Sequence, residues 1–315
     1  MSFAYLARRL LQALLVIWIV TVITFLMVNL SPGGPSILMS MEFTEVERER
    51  IRADFGLDAP LHIRYGRWMG AALNLDFGNS FRYGMPVRDL IGERLPNTLL
   101  LGGTALALSI LIGIPLGILS ATRRYSLLDY LTTTFSFLGL SIPAFWFGIL
   151  LIMYFGVAWN LLPTGGMGSG PEFNLANRIA HLVLPATVLA TVTLPHILRY
   201  MRSSMLQVLQ EDYVRTARAK GLVDWLVLYK HALRNALFPV ITVIGLLVPQ
   251  LLSGSVITEQ VFAWPGLGRL AVQSALARDY PLVMGVGLVA AFLVVASNLL
   301  VDLVYAKLDP RVKLD

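Results

Sequence analysis

Residues 211–239 read EDYVRTARAKGLVDWLVLYKHALRNALFP, a polar, basic segment set between long apolar runs. Between Arg199 and Arg234 the chain carries seven Lys or Arg against three Asp or Glu. Asp212 stands near the start of this segment. Further on, Ala217, Ala219 and Gly221 form a patch of small residues ringed by Arg215, Arg218 and Lys220. A chain that merely crosses a membrane joins its helices through short connections. A long, helix-prone, basic loop with a bare patch is expected to dock a partner.

The flanking runs set the class. Hydrophobic residues make up 56% of the 315 and charged residues 14%. About 20 apolar residues cross the hydrocarbon core as a helix. Six runs qualify: 10–30, 97–120, 131–157, 181–198, 236–258 and 281–301, none containing Asp, Glu, Lys or Arg. An all-α membrane protein with six transmembrane helices is expected. There is no cysteine, so disulfide and thiolate chemistry are excluded.

The net charge of +6 does not point to nucleic acid, because the excess sits beside apolar spans in the positive-inside pattern. Arg8, Arg9, Arg123, Arg124, the cations of the central loop, Lys307, Arg311 and Lys313 fall on one side. The short loops opposite carry only Arg178, Arg269 and Arg278. Both termini and the loop 199–235 are therefore expected in the cytoplasm, with 31–94 outside. Residues 1–30 have the basic start of a signal peptide. Their apolar run is too long for a signal core, however, and SPGGPS follows it rather than a small-residue cleavage site, so a retained helix is expected.

Three segments follow: an N-terminal helix with an extracytoplasmic insert (1–94), a transmembrane domain (95–304) and a cytoplasmic tail (305–315). In the insert, Thr44 and Glu47 form a capping box before a short helix that Gly56 stops. Asp58 and Pro60 open a second helix running to Leu73, with Tyr65 and Trp68 suited to the membrane interface. The insert reads first as a folded spacer, and more sharply as a contact surface for an external partner. Gly113 and Gly117, four apart, mark a candidate close helix contact. Pro143 and Pro249 are candidate pathway or hinge positions, since proline removes a helical hydrogen bond and bends the rod.

Much chemistry is missing. The Gly-rich stretch 163–170, PTGGMGSG, lacks the Lys-Ser/Thr of a phosphate-binding loop, and none of the four lysines stands in one. No acid lies within a span, where ion-coupled carriers keep such groups, and Asp302 falls at the inner end of the last span as an anchor. His62, His181, His196 and His231 have no metal-ligand spacing. Neither a nucleophilic triad nor paired carboxylates share one predicted face. The chain reads as a conduit without catalytic residue, metal or cofactor of its own, driven from elsewhere.

The central loop resembles the signature loop of ABC importer permeases: Glu-Ala-Ala, three residues, Gly, nine residues, Ile-x-Leu-Pro. Ala217 matches the second alanine, Gly221 the glycine and Leu233 the leucine. Arg215, His231 and Arg234 replace the glutamate, isoleucine and proline. These departures resemble the dipeptide/oligopeptide/nickel branch, as do FGLDAPLHIRYGRW (55–68), RLPNTLLL (94–101), GLSIPAFWFGILL (139–151), EQVFAWPGLGRL (259–270) and YAKLDPRVKLD (305–315).

The resemblance implies a type I ABC importer transmembrane fold and a permease subunit for di- or oligopeptides in a prokaryotic inner membrane. It also implies partners: two ATP-binding subunits that hold ATP and Mg, a homologous sister permease, and an extracytoplasmic substrate-binding protein. Asp212, Arg215, Ala217, Arg218, Lys220 and Gly221 would form the coupling helix against an ATP-binding subunit. Residues 217 and 221 are one turn apart, which puts a small-small face on one side of that helix. The competing reading of the helix is a basic amphipathic segment on anionic membrane lipid. The competing functions are a nickel or glutathione permease, a secondary carrier or channel, and a membrane scaffold.

Overall fold

The computed structural model describes residues 3–31, 34, 44, 46, 49, 58–168 and 174–308. The expected helix between the Thr44–Glu47 capping box and Gly56, and the tail from 309 onward, lie outside the described residues. Among the described residues, the helices of eight residues or more are α1 (Phe3–Asn29), α2 (Leu61–Ala72), α3 (Val87–Thr122), α4 (Leu127–Ser141), α5 (Ala144–Leu151), α6 (Leu175–Val208), α7 (Asp212–Ala219), α8 (Leu233–Val261), α9 (Leu267–Leu276) and α10 (Tyr280–Leu308). A π-helical turn, Ile152–Ala158, extends α5, and another, Val227–Ala232, leads into α8.

Among the described residues, five helices are long and apolar enough to cross a membrane, and α4 with α5 make a sixth if the bent pair counts as one span. The third expected span, 131–157, is therefore not a straight rod. It breaks at Ile142 and Pro143, where α4 and α5 meet at 103°. Pro143 brings no N–H and crowds the residue before it out of the helical region. Ile142 accordingly sits at φ −84°, ψ 125° and ends α4, while Pro143 caps the start of α5. Pro185 and Pro195 inside α6, and Pro239 and Pro249 inside α8, leave their helices continuous.

The described residues fall into two compact units, one from Leu99–Trp264 with Ser297–Asp315 and one from Ser2–Thr98 with Pro265–Ala296. In the first, α6 is the central rod, burying Leu184, Val188, Leu189, Ile197, Leu198, Met201 and Met205. Small residues let α3 approach it closely, as the Gly113/Gly117 spacing predicts. A Cβ on Gly113 would lie 3.1 Å from Ile197 Cγ2, and one on Gly117 only 2.6 Å from Met201 Cβ. Ser109 and Thr193 share a hydroxyl hydrogen bond of 2.6 Å across the same contact. Such close contacts supply the cohesion that apolar burial cannot give in lipid.

The second unit has its own core of Phe77, Val87, Leu90, Ile91, Leu267, Leu270, Leu282 and Val286. Asp279, fully buried, ties it together: its carboxylate accepts from the Ser80 hydroxyl, the Arg82 N–H and the Leu282 N–H at the start of α10. On α2, Tyr65 meets the Thr21 hydroxyl at 2.9 Å and packs edge-on against Phe25, both on α1.

Candidate coupling surface

The loop 199–235 folds as a helical excursion between two spans. After α6, the eight residues of α7 are pinned by Val214 and Ala217, which pack with Val227 from the following π-helical turn. Val208 and Leu209 close the cluster from the end of α6. Tyr213 adds a polar tie, its hydroxyl accepting from the Asn235 amide at 2.8 Å. The helix stops where Gly221 adopts φ +79°, a left-handed conformation that costs glycine nothing. The Leu222 N–H bonds back to the Ala217 carbonyl at 3.4 Å and the Gly221 N–H to that of Arg218 at 2.9 Å, the paired bonds of a Schellman cap.

This geometry corrects the expected small-small face. Ala217 is 6% exposed and points into the chain's own core. It shares an i, i+3 stripe with Val214, so the apolar stripe of the short helix takes it inward. Gly221 lies past the helix end, exposed, with nothing within 4 Å of where its Cβ would be. The two do not form one outward surface.

What faces outward is charged and aromatic. Asp212, Arg215, Arg218 and Lys220 are all exposed. Arg215 pairs with Asp212 at 3.6 Å and Arg218 with Asp224 at 3.5 Å. Exposed pairs of this kind contribute little stability and leave the charges available to a partner. Directly after Gly221, the chain presents Leu222, Val223 and Trp225, the last 64% exposed. This apolar knob was missed by reading the segment as polar. The signal was present in LVDW, an apolar cluster inside the charged loop.

A second cluster fixes the adjoining turn. The Asp129 carboxylate, at the start of α4, is buried and receives Arg202 of α6 through Nε at 2.7 Å and Nη2 at 2.9 Å. It also accepts from the Ser120 hydroxyl of α3 and from the Tyr125 N–H at 3.0 Å. Three helices thus meet on one carboxylate, six residues before α6 ends. Pro143 stands at the α4–α5 bend. Pro249 lies half-buried within α8, four residues after Gly245, whose missing side chain lets Val301 approach to 2.7 Å of the Cβ position.

The chain matches two family models: "Binding-protein-dependent transport system inner membrane component" over residues 113–314, and the corresponding N-terminal membrane component over residues 2–102. It is 47% identical over 313 residues to the oligopeptide transport system permease protein AppB of Bacillus subtilis, covering 98% of this chain and 99% of the relative. It is 40% identical over 318 residues to the dipeptide transport system permease protein DppB of Escherichia coli, covering 93% and 94%. Among solved structures it is similar to an amino acid ABC transporter (TM-score 0.54, 16% identity, 70% of this chain and 94% of the other). An inward-facing MetNI methionine ABC transporter aligns at TM-score 0.54 and 20% identity, covering 70% and 96%. At such identities the structural likeness speaks for the fold alone: all-α, of the type I ABC importer kind.

Proposed function

The chain belongs to the family of binding-protein-dependent transport system inner membrane components, and from that membership we propose that it is a permease subunit of an ATP-driven importer of di- or oligopeptides. The peptide assignment is supported by the relatives named for oligopeptide and dipeptide transport, each aligned over nearly its whole length. These names favour peptide over nickel or glutathione as cargo, and family membership argues against a carrier working alone. Two ATP-binding subunits would supply ATP and Mg, an extracytoplasmic binding protein would deliver the peptide, and a sister permease would complete the path. Both termini and α7 face the cytoplasm in this reading.

The observation that carries the mechanism is how α7 is mounted. One end continues from α6 and the other leads into α8, while Val214 and Ala217 lock it onto Val227. A push on the exposed Arg215, Arg218, Lys220 and Trp225 surface therefore reaches two spans together rather than being lost in a flexible loop. Alternating access needs such a rigid transmission, because ATP hydrolysis elsewhere must change the packing of the spans.

Reconstitution tests the reading. With the ATP-binding subunits and binding protein present, labelled peptide should accumulate only when ATP can be hydrolysed. Uptake without those subunits would favour a carrier or channel, and uptake of nickel or glutathione in place of peptide would overturn the substrate assignment.

A further inference from the structure

Along α8 the exposed side of an apolar span carries amides and a hydroxyl. Gln250, Ser253 and Gln260 are exposed, and Thr242 is half-buried two turns before Gln250. At spacings of eight, three and seven residues these four share one face of the helix. Leu247, Leu251, Ser255 and Thr258 point the other way, into the chain. The stripe begins beside the docking loop, since Asn235, seven residues before Thr242, donates to the Tyr213 hydroxyl of α7. In α3, by contrast, every exposed residue within the span 97–120 is aliphatic, glycine or proline, with Leu111, Ile112 and Leu119 among them. That is the composition of a side that meets lipid.

Gln250 is the decisive member. Thr242 and Ser253 bond back to the carbonyls of Phe238 and Pro249, each at 3.2 Å. The Gln250 carboxamide has no hydrogen-bond partner among the described residues. It stands eight residues, about 12 Å, from the nearer end of the run 236–258, too deep for a glutamine to reach the interface. An amide left unpaired in hydrocarbon is costly, so this face does not meet lipid. Nor does it suit a closely packed neighbouring helix. Such contacts rest on small residues, as at Gly113 and Gly117, whereas two long amides hold a neighbour off. A carboxamide carries the same donor and acceptor groups as a peptide bond. The run 236–258 holds no Asp, Glu, Lys or Arg, so the stripe does not select cargo side chains by sign. From Gln250 to Gln260 it runs about 15 Å, the length of four or five extended residues. These properties fit the main chain of an extended peptide of any sequence.

We propose that the α8 face bearing Thr242, Gln250, Ser253 and Gln260 lines the translocation path, with the Gln250 carboxamide hydrogen-bonding the main chain of the passing peptide. This rests on the peptide-import reading and adds to it the wall along which the cargo moves.

The test uses the assembled transporter in lipid nanodiscs and exploits a chain without cysteine. Gln250→Cys and Ser253→Cys probe the stripe, and Leu111→Cys, at a residue 71% exposed on α3, is the lipid-facing control. A small charged methanethiosulfonate reagent reacts only where water reaches, and mass spectrometry of this chain counts the label. Gln250→Cys and Ser253→Cys should be labelled, and saturating peptide with its binding protein should suppress that labelling. Leu111→Cys should stay unlabelled. In uptake assays, Gln250→Leu should raise the half-maximal peptide concentration about three- to tenfold, as loss of one neutral hydrogen bond does, and Gln250→Asn should recover part of the loss. No labelling of Gln250→Cys and Ser253→Cys would mean that lipid or a second subunit covers the face, and would overturn the proposal. So would labelling that peptide does not suppress, or an unchanged half-maximal concentration in Gln250→Leu. With ATP-driven peptide uptake by wild type, any of these results leaves the peptide-import reading standing. Failure of wild type to import any peptide would overturn both.

Discussion

Arg202 grips Asp129 with two parallel hydrogen bonds, Nε to Oδ1 at 2.7 Å and Nη2 to Oδ2 at 2.9 Å, across 73 residues of sequence. The same carboxylate takes the Ser120 hydroxyl and the Tyr125 N–H, so the α3–α4 turn is fastened to α6 close to the base of α7. Bidentate geometry suits guanidinium and carboxylate, and lysine cannot reproduce it.

Breaking this pair should be costly. Asp129→Asn or Arg202→Met leaves a partly or fully buried charge without its mate, a change worth about 3–5 kcal/mol. Both single variants should melt well below wild type in detergent, and Arg202→Lys should fall between. The double variant Asp129→Asn with Arg202→Met should recover part of the loss, because no stranded charge remains. A double variant no better than the worse single one would show that the pair's worth is not in its mutual neutralisation.

The contact between α3 and α6 makes a graded prediction. Alanine at Gly117 would place its Cβ 2.6 Å from Met201 Cβ and 2.9 Å from the Leu198 carbonyl oxygen, a backbone atom that cannot swing away. At Gly113 the nearest atom is the Ile197 Cγ2 at 3.1 Å, the end of a side chain. Gly117→Ala should therefore destabilise by about 1–3 kcal/mol, as overpacked cores do, and Gly113→Ala by less. Thermal unfolding of the two variants side by side settles the order.

These two sites differ in how far the sequence discloses them. The glycine spacing, the apolar spans and the break at Pro143 are written locally, in periodicity and in the missing proline N–H. Asp129 is different: it lies just outside the apolar run starting at 131 and looks like an ordinary loop acid. Its partner is known only once α4 and α6 are packed. Ala217 fails for another reason. A helix of eight residues can turn either face inward, and the choice rests with Val227, beyond the helix itself.

That correction changes what substitutions at the small residues report. Ala217→Trp overpacks the pocket shared with Val214 and Val227, so lowered stability of the whole loop should accompany any loss of coupling. Gly221→Ala meets no atom within 4 Å but forces a side chain to φ +79°, a strain of about 1–3 kcal/mol. Gly221→Asn should do less harm, since asparagine tolerates the left-handed region. Protease nicking between α7 and α8 should rise in the order Asn, Ala, Trp at position 221 if the cap is what Gly221 supplies. Equal nicking in all three would place its role outside the chain.

The orientation has its own test, made simple by a chain without cysteine. A cysteine replacing the exposed Thr216 of α7 should resist a membrane-impermeant maleimide in intact cells and react after lysis. One replacing Ser31, just past α1, should react in intact cells, provided the outer barrier is opened. The arginine bias of the short loops predicts this arrangement; the reverse labelling would turn the molecule over and remove α7 from the ATP-binding subunits.

Trp225 offers the cleanest probe of docking. It stands on a short helical turn beside α7, is 64% exposed, and is flanked by exposed Leu222 and Val223. A large aromatic side chain presented this way within a charged loop is the residue type on which interfaces concentrate their energy, with truncation costing about 2 kcal/mol or more. Trp225→Ala should thus weaken retention of the ATP-binding subunits by about 30-fold or more. The melting temperature of the isolated chain should barely move, because the side chain packs little of its own surface. Phe135→Ala serves as control: that ring is 69% exposed on α4, outside the loop 199–235, so its loss should leave retention untouched. Reversing the charge of Arg215 should slow association, most visibly at low salt, since rim charges act chiefly on the encounter. If Trp225→Ala instead keeps its ATP-binding subunits but loses affinity for anionic vesicles, the basic loop is a lipid anchor and the coupling surface lies elsewhere.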